Sequence, residues 1–138
     1  MNIKNILTDT VKEFCKTNGR IWVGKYDEQK IGITLDGYCL YLIPAESFPF
    51  DIKSLLRGGQ ENNIRRVFPQ DGTDAILGEI KGGAIQSLSD RELTVYINPK
   101  LLKNFDKTAT FKITTPKTGV LVYEEGILSG LIMPMNIK

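Results

Sequence analysis

The residues best able to do chemistry are set by what is missing. The 138-residue chain has no histidine, so the commonest general base and the commonest zinc ligand are both absent. Its carboxylates are scattered, with exposed-looking pairs at Asp27/Glu28 and Glu124/Glu125 that suit hairpin turns and solvated faces. Cys15 and Cys39 are far apart and lack CxxC spacing, so two buried free thiols are expected in place of a metal pair or disulfide. Gly58-Gly59 and Gly82-Gly83 lack the Lys-Ser/Thr or GxGxxG context of a phosphate loop and read as turns. No catalytic residue, metal or cofactor is therefore expected, and the chain is not read as an enzyme.

Two other patterns have a physical use. Lys12 and Lys16 stand one helical turn apart, and Lys100, Lys103 and Lys107 follow at spacings of three and four, so each set can form a lysine face. Such faces can be the solvated side of any amphipathic helix, or a surface that follows a phosphate backbone without reading bases. The run Leu131, Ile132, Met133, Pro134 and Met135 is apolar although it stands close to the end of the sequence. Methionine can repack around varied apolar anchors, which suits a peptide groove. The bland alternative is a final edge strand with alternate residues in the core and Pro134 blocking further pairing.

The elements that would position these residues can be read from periodicity. Ile3, Ile6, Leu7, Val11, Phe14 and Cys15 form one helical stripe over residues 3–17, with Asn18-Gly19 as the stop. IWVGKY, KIGITL and GYCLYLIP then read as strands, separated by Asp27-Glu28-Gln29 and by Asp36-Gly37. Residues 48–74 read as a long connection, with one helical turn at SLLRGG. AILGEIKG, AIQSLS and ELTVYIN are further strands. Asn98-Pro99 gives a sharp helix start, because Asn accepts free backbone amides and Pro at the first helical position lacks a donor. A short helix over KLLKNFD is expected there, burying Leu101, Leu102 and Phe105, before the strands ATFKITT, GVLVYEE and ILSGLIMPM.

The same order, a helix and then three strands, thus appears twice. The expectation is a single α+β domain over residues 1–138, with pseudo-repeated units of a helix plus three or four strands at about 1–50 and 74–138, joined by 51–73. Helices should lie on one side and antiparallel sheets on the other. No apolar run is long enough to span a bilayer and no signal segment is evident, so a cytoplasmic protein without a membrane partner is expected.

Charge follows the elements. Residues 1–20 hold Lys4, Lys12, Lys16 and Arg20 against Asp9 and Glu13, and residues 98–114 hold Lys100, Lys103, Lys107 and Lys112 against Asp106. The strand blocks 21–50 and 74–97 are net acidic. The expected helices are the basic elements.

The last third resembles the bacterial DNA polymerase sliding clamp family, and most nearly its C-terminal domain. ELTVYINPKLLKNF is similar to the family's strand leading through Asn into a helix, TPKTGVLVYEE to its following strand pair, and GLIMPM to its C-terminal ending. ITLDGYCLYLIP resembles the family's D-G strand at Asp36, Gly37 and Leu40 and departs from it at Leu35 and Cys39. The resemblance implies a clamp-like domain that associates with double-stranded DNA through Lys12, Lys16, Lys100, Lys103 and Lys107. It also implies a groove for clamp-binding peptides of polymerases and other replication proteins, built from Gly37, Tyr38, Leu40, Leu131, Ile132, Met133, Pro134 and Met135. The family's chain carries three such domains and this chain has room for one, so a ring would require a homo-oligomer. The alternative is a monomeric clamp-fold decoy or regulator of a phage or mobile element that binds proteins but not DNA.

Overall fold

Asn2 opens the α-helix α1 (Ile3–Phe14): its side-chain oxygen accepts the backbone N–H of Asn5 at 3.0 Å, satisfying one of the free amides of the first turn. The computed structural model describes residues 1–16, 21–51 and 64–136. The Asn18-Gly19 stop and the turn at SLLRGG lie outside these residues.

Nine strands follow: β1 (Trp22–Lys25), β2 (Lys30–Thr34), β3 (Cys39–Pro44), β4 (Thr73–Lys81), β5 (Ile85–Ser89), β6 (Thr94–Ile97), β7 (Thr110–Ile113), β8 (Val120–Glu124) and β9 (Ile127–Ile132). All pairings are antiparallel, in the order β1-β2-β3-β9-β8-β7-β4-β5-β6. The protein is thus a mixed α and β fold dominated by one sheet, with a single α-helix among the described residues.

The core lies against one face of this sheet. Ile31 and Ile33 in β2, Tyr41 and Ile43 in β3, Val120 and Val122 in β8, and Ile132 in β9 gather with Ile6 of α1. Leu88, Val95 and Ile97 from β5 and β6 join the same cluster, so the sheet curls around its own core. Strand alternation sends Leu42, Leu121 and Leu131 to the other face, where they are buried outside that cluster. Ile64, in a 3-10 turn at Ile64–Val67, settles on this second face over Gly32: a Cβ at Gly32 would stand 2.7 Å from the Ile64 side chain.

Three expectations are corrected here. The second helix is a four-residue 3-10 turn, Pro99–Leu102, although Asn98 caps it as anticipated and accepts the amide of Lys100 at 3.0 Å. It stops because the chain turns inward: Asn104 is buried, accepting from Asn5 Nδ2 (2.6 Å) and donating to the Tyr41 hydroxyl (3.1 Å), and Phe105 packs on Tyr41. The stripe on α1 is shorter than expected. Ile6 is buried and Ile3 and Leu7 are half-buried, but Val11, Phe14 and Cys15 are exposed. Cys15 is therefore not the buried thiol that was anticipated, whereas Cys39 is.

Candidate peptide groove and lysine surface

Asp36 fixes the turn between β2 and β3. Its carboxylate accepts the amides of Tyr38 (2.8 Å) and Cys39 (3.2 Å), Thr34 Oγ1 accepts the amide of Gly37 (3.0 Å), and Gly37 takes φ +79, a conformation open to glycine. The chain leaving β9 is tied to this turn, because the amide of Met133 donates to the Tyr38 carbonyl at 2.7 Å. Two stretches far apart in sequence thereby become one wall.

Facing that wall are Trp22 of β1 and the turn Ile64–Val67. Together they enclose an open groove of about 440 Å³ lined by Trp22, Tyr38, Leu40, Ile64, Leu131 and Met133, with Arg66 and Val67 at the turn. Tyr38 is 64% exposed and Trp22 56%, so the groove presents large rings to solvent that the fold leaves uncovered. Burying such rings under a partner is the usual source of affinity in an apolar cleft.

Of the eight residues proposed for a groove, Gly37, Tyr38, Leu40, Leu131 and Met133 line it. Ile132 does not: it is 0% exposed and sits in the core cluster, as alternation along β9 demands. Pro134 and Met135 have also passed beyond it, and the amide of Met135 donates to the Tyr96 carbonyl of β6 at 2.7 Å. Sequence reasoning missed Trp22, Ile64, Arg66 and Val67, which arrive from segments with no motif, and Thr34 and Cys39, which lie in the ITLDGYCLYLIP stretch but were not assigned to the groove. That Trp22 is the single tryptophan was the one available signal.

Beyond the 3-10 turn lies a second, more polar depression of about 530 Å³, with Tyr26, Arg65, Phe68 and Tyr123 among its walls. Arg65 stacks over Tyr26 at 5.3 Å and Phe68 meets the same ring edge-on at 5.2 Å, which anchors the turn to β1. Arg66 borders both depressions.

The five lysines are all exposed. Lys12 lies in α1, Lys16 just beyond it, Lys100 in the turn at Pro99–Leu102, and Lys103 and Lys107 after that turn. The two elements are neighbours. The amide of Asn2 donates to the Asn104 carbonyl at 2.8 Å, and Lys103 reaches Asp9 of α1 at 3.8 Å. The N-terminal amine adds a further tie, contacting Asp106 (2.5 Å) and Glu124 (2.9 Å). Burial alone would lower its pKa, but hydrogen bonds to those two carboxylates outweigh this and raise it. Lys16 pairs with Glu13 at 3.1 Å.

Burial pushes the Cys39 thiol up to about 12 and also raises the Tyr41 hydroxyl beside it, so both stay protonated at neutral pH. Among the described residues no group of three Cys, Asp or Glu side chains is placed to hold a metal, and no helix is long and apolar enough to cross a membrane. No family model matches the chain, and no curated protein or solved structure is detectably similar to it.

Proposed function

We propose that the chain is a clamp-like accessory protein of DNA replication, working in the cytoplasm, whose groove captures short apolar segments of polymerases or other replication proteins. The observation that carries this reading is the groove itself. Gly37, Tyr38, Leu40, Leu131 and Met133, singled out through a family resemblance, come together with Trp22 around one open apolar cleft. In this reading the helix-and-strands order is a pseudo-repeat of a clamp domain, with the turn at Pro99–Leu102 standing where a second helix would be. The lysines on α1 and beside that turn would follow the backbone of double-stranded DNA, and several copies would be needed to surround it. The role is one of binding and tethering, without catalysis.

A second reading, a monomeric decoy or regulator that binds proteins but not DNA, is favoured by one observation. Lys16 and Lys103 are already engaged by Glu13 and Asp9, which reduces the charge free for phosphate.

Trp22 is the single tryptophan and lines the groove, so its fluorescence reports occupancy directly. Titration with a panel of clamp-binding peptides should change that emission with micromolar dissociation constants. Tyr38→Ala with Met133→Ala should weaken binding about tenfold, or about 1.4 kcal/mol. No change in emission at millimolar peptide would end the groove reading for both alternatives.

A further inference from the structure

β4 is the longest strand and the least protected. It joins β7 only at Thr73, Asp74 and Ala75, and from Ile76 to Lys81 it pairs with β5 alone, so among the described residues no strand covers its other edge. Ile76 is 78% exposed and Ile80 54%, with Leu77 exposed beside them. An open edge carrying uncovered branched apolar residues is a template for pairing with another chain.

The bulge in β4 determines which partner fits. Register with β5 shifts between Leu77 and Ile80, and Gln86 Nε2 donates to the Gly78 carbonyl at 2.6 Å, which holds the extra residue in place. A Cβ at Gly78 would stand 2.2 Å from Ser87 Oγ, so any larger residue here must turn that hydroxyl aside. Because of the shift, Leu77 and Ile80 share one face, opposite Leu88 and Gln86, while Ile76 and Lys81 share the other, opposite Ser89 and Ile85. Asp74, two residues before Ile76, belongs to that second face.

We propose that this edge pairs with the same edge of a second copy, antiparallel about a two-fold axis between Gly78 and Glu79. That register alone places Leu77 opposite the partner's Ile80 on one face, twice over. On the other face Ile76 meets the aliphatic stem of the partner's Lys81, whose ammonium is then diagonal to Asp74, a neighbour within reach of a long side chain. Neither Asp74 nor Lys81 has an ion-pair partner among the described residues. The segment is thus complementary to itself in both shape and charge. Such an interface uses the same edge on both copies, so assembly stops at two. The proposal goes beyond the functional reading above, since a closed pair is not the several-copy ring of that reading, and it requires neither DNA nor peptide.

Sedimentation of the full chain across concentration should show a two-copy mass at high concentration and one copy on dilution. Leu77→Lys with Ile80→Lys should sediment as one copy throughout, with an unchanged far-ultraviolet spectrum because both side chains are exposed. Register is tested by crosslinking in a Cys15→Ser background, where Cys39 stays buried. Leu77→Cys chains mixed with Ile80→Cys chains should form disulfide-linked pairs under mild oxidation, and neither variant should do so alone. A single-copy mass at every concentration, an undisturbed dimer in the lysine variant, or equal crosslinking in the unmixed samples would overturn the proposal. Loss of peptide binding with the dimer intact would instead count against the groove alone.

Discussion

Asn104 holds together the side of the molecule on which α1 rests. It is 2% exposed and stands between Asn5 and Tyr41, accepting from one and donating to the other. Asn104→Ala removes both bonds and leaves the buried Tyr41 hydroxyl with the Cys39 thiol as its remaining partner, which should cost about 1–3 kcal/mol in urea unfolding. Cys39 makes a separate prediction about pH. Its thiol titrates near 12 in the fold against an ordinary 9.0, so the folded state holds the proton more tightly. The associated stability is complete below pH 9 and is lost as pH rises toward 12. Unfolding midpoints measured from pH 8 to 11 should therefore decline, with a shallower decline in Cys39→Ala. A thiol reagent at pH 8 should label Cys15 and spare Cys39. At this scale the sequence was a partial guide. Period-two alternation along Leu131, Ile132 and Met133 already required Ile132 to face away from its neighbours, so the apolar run could never have entered the groove whole.

The strands carry the next level of constraint. Gly130 in β9 lies where β3 and the chain around Phe105 converge: a Cβ there would be 2.5 Å from the Leu40 carbonyl and 2.7 Å from the Phe105 ring. Gly130→Ala should destabilise the protein by about 1–3 kcal/mol, read as a lower midpoint in thermal unfolding, because a backbone carbonyl cannot step aside as a side-chain tip can. All nine strands were legible from short β-branched and aromatic runs between turn residues. The second helix was not, because an Asn-Pro start followed by a few apolar residues fits a 3-10 turn as well as an α-helix, and its length was decided by the inward turn of Asn104. On α1 the stripe ran past the sheet that could cover it, which periodicity alone does not reveal. The groove's far wall was illegible for another reason. Ile64 reaches it only because Gly32, over thirty residues earlier, has no side chain in the way.

For the whole molecule the question is how separate surfaces divide the work. The lysines lie on α1 and beside the turn after β6, while the groove lies on the opposite side of the sheet with Leu131, so changes to one should leave the other intact. If five lysines each meet a phosphate, the logarithm of duplex affinity should fall against the logarithm of salt with a slope of about −4.5. Lys100→Glu with Lys103→Glu should abolish retention on immobilised duplex while Trp22 still reports peptide. Retention unchanged by that pair, or absent from the parent protein at low salt, would favour the decoy reading.

The short passage after β9 has a mechanical meaning of its own. Within three residues its amides grip the Tyr38 carbonyl on one side and the Tyr96 carbonyl on the other, lacing the turn that walls the groove to a strand at the far end of the sheet order. It works as a latch. A ligand that levers Met133 outward also pulls on the Met135 bond to β6, so slower amide exchange at Met133 and Met135 would accompany a snug occupant, and faster exchange one that pries the latch open.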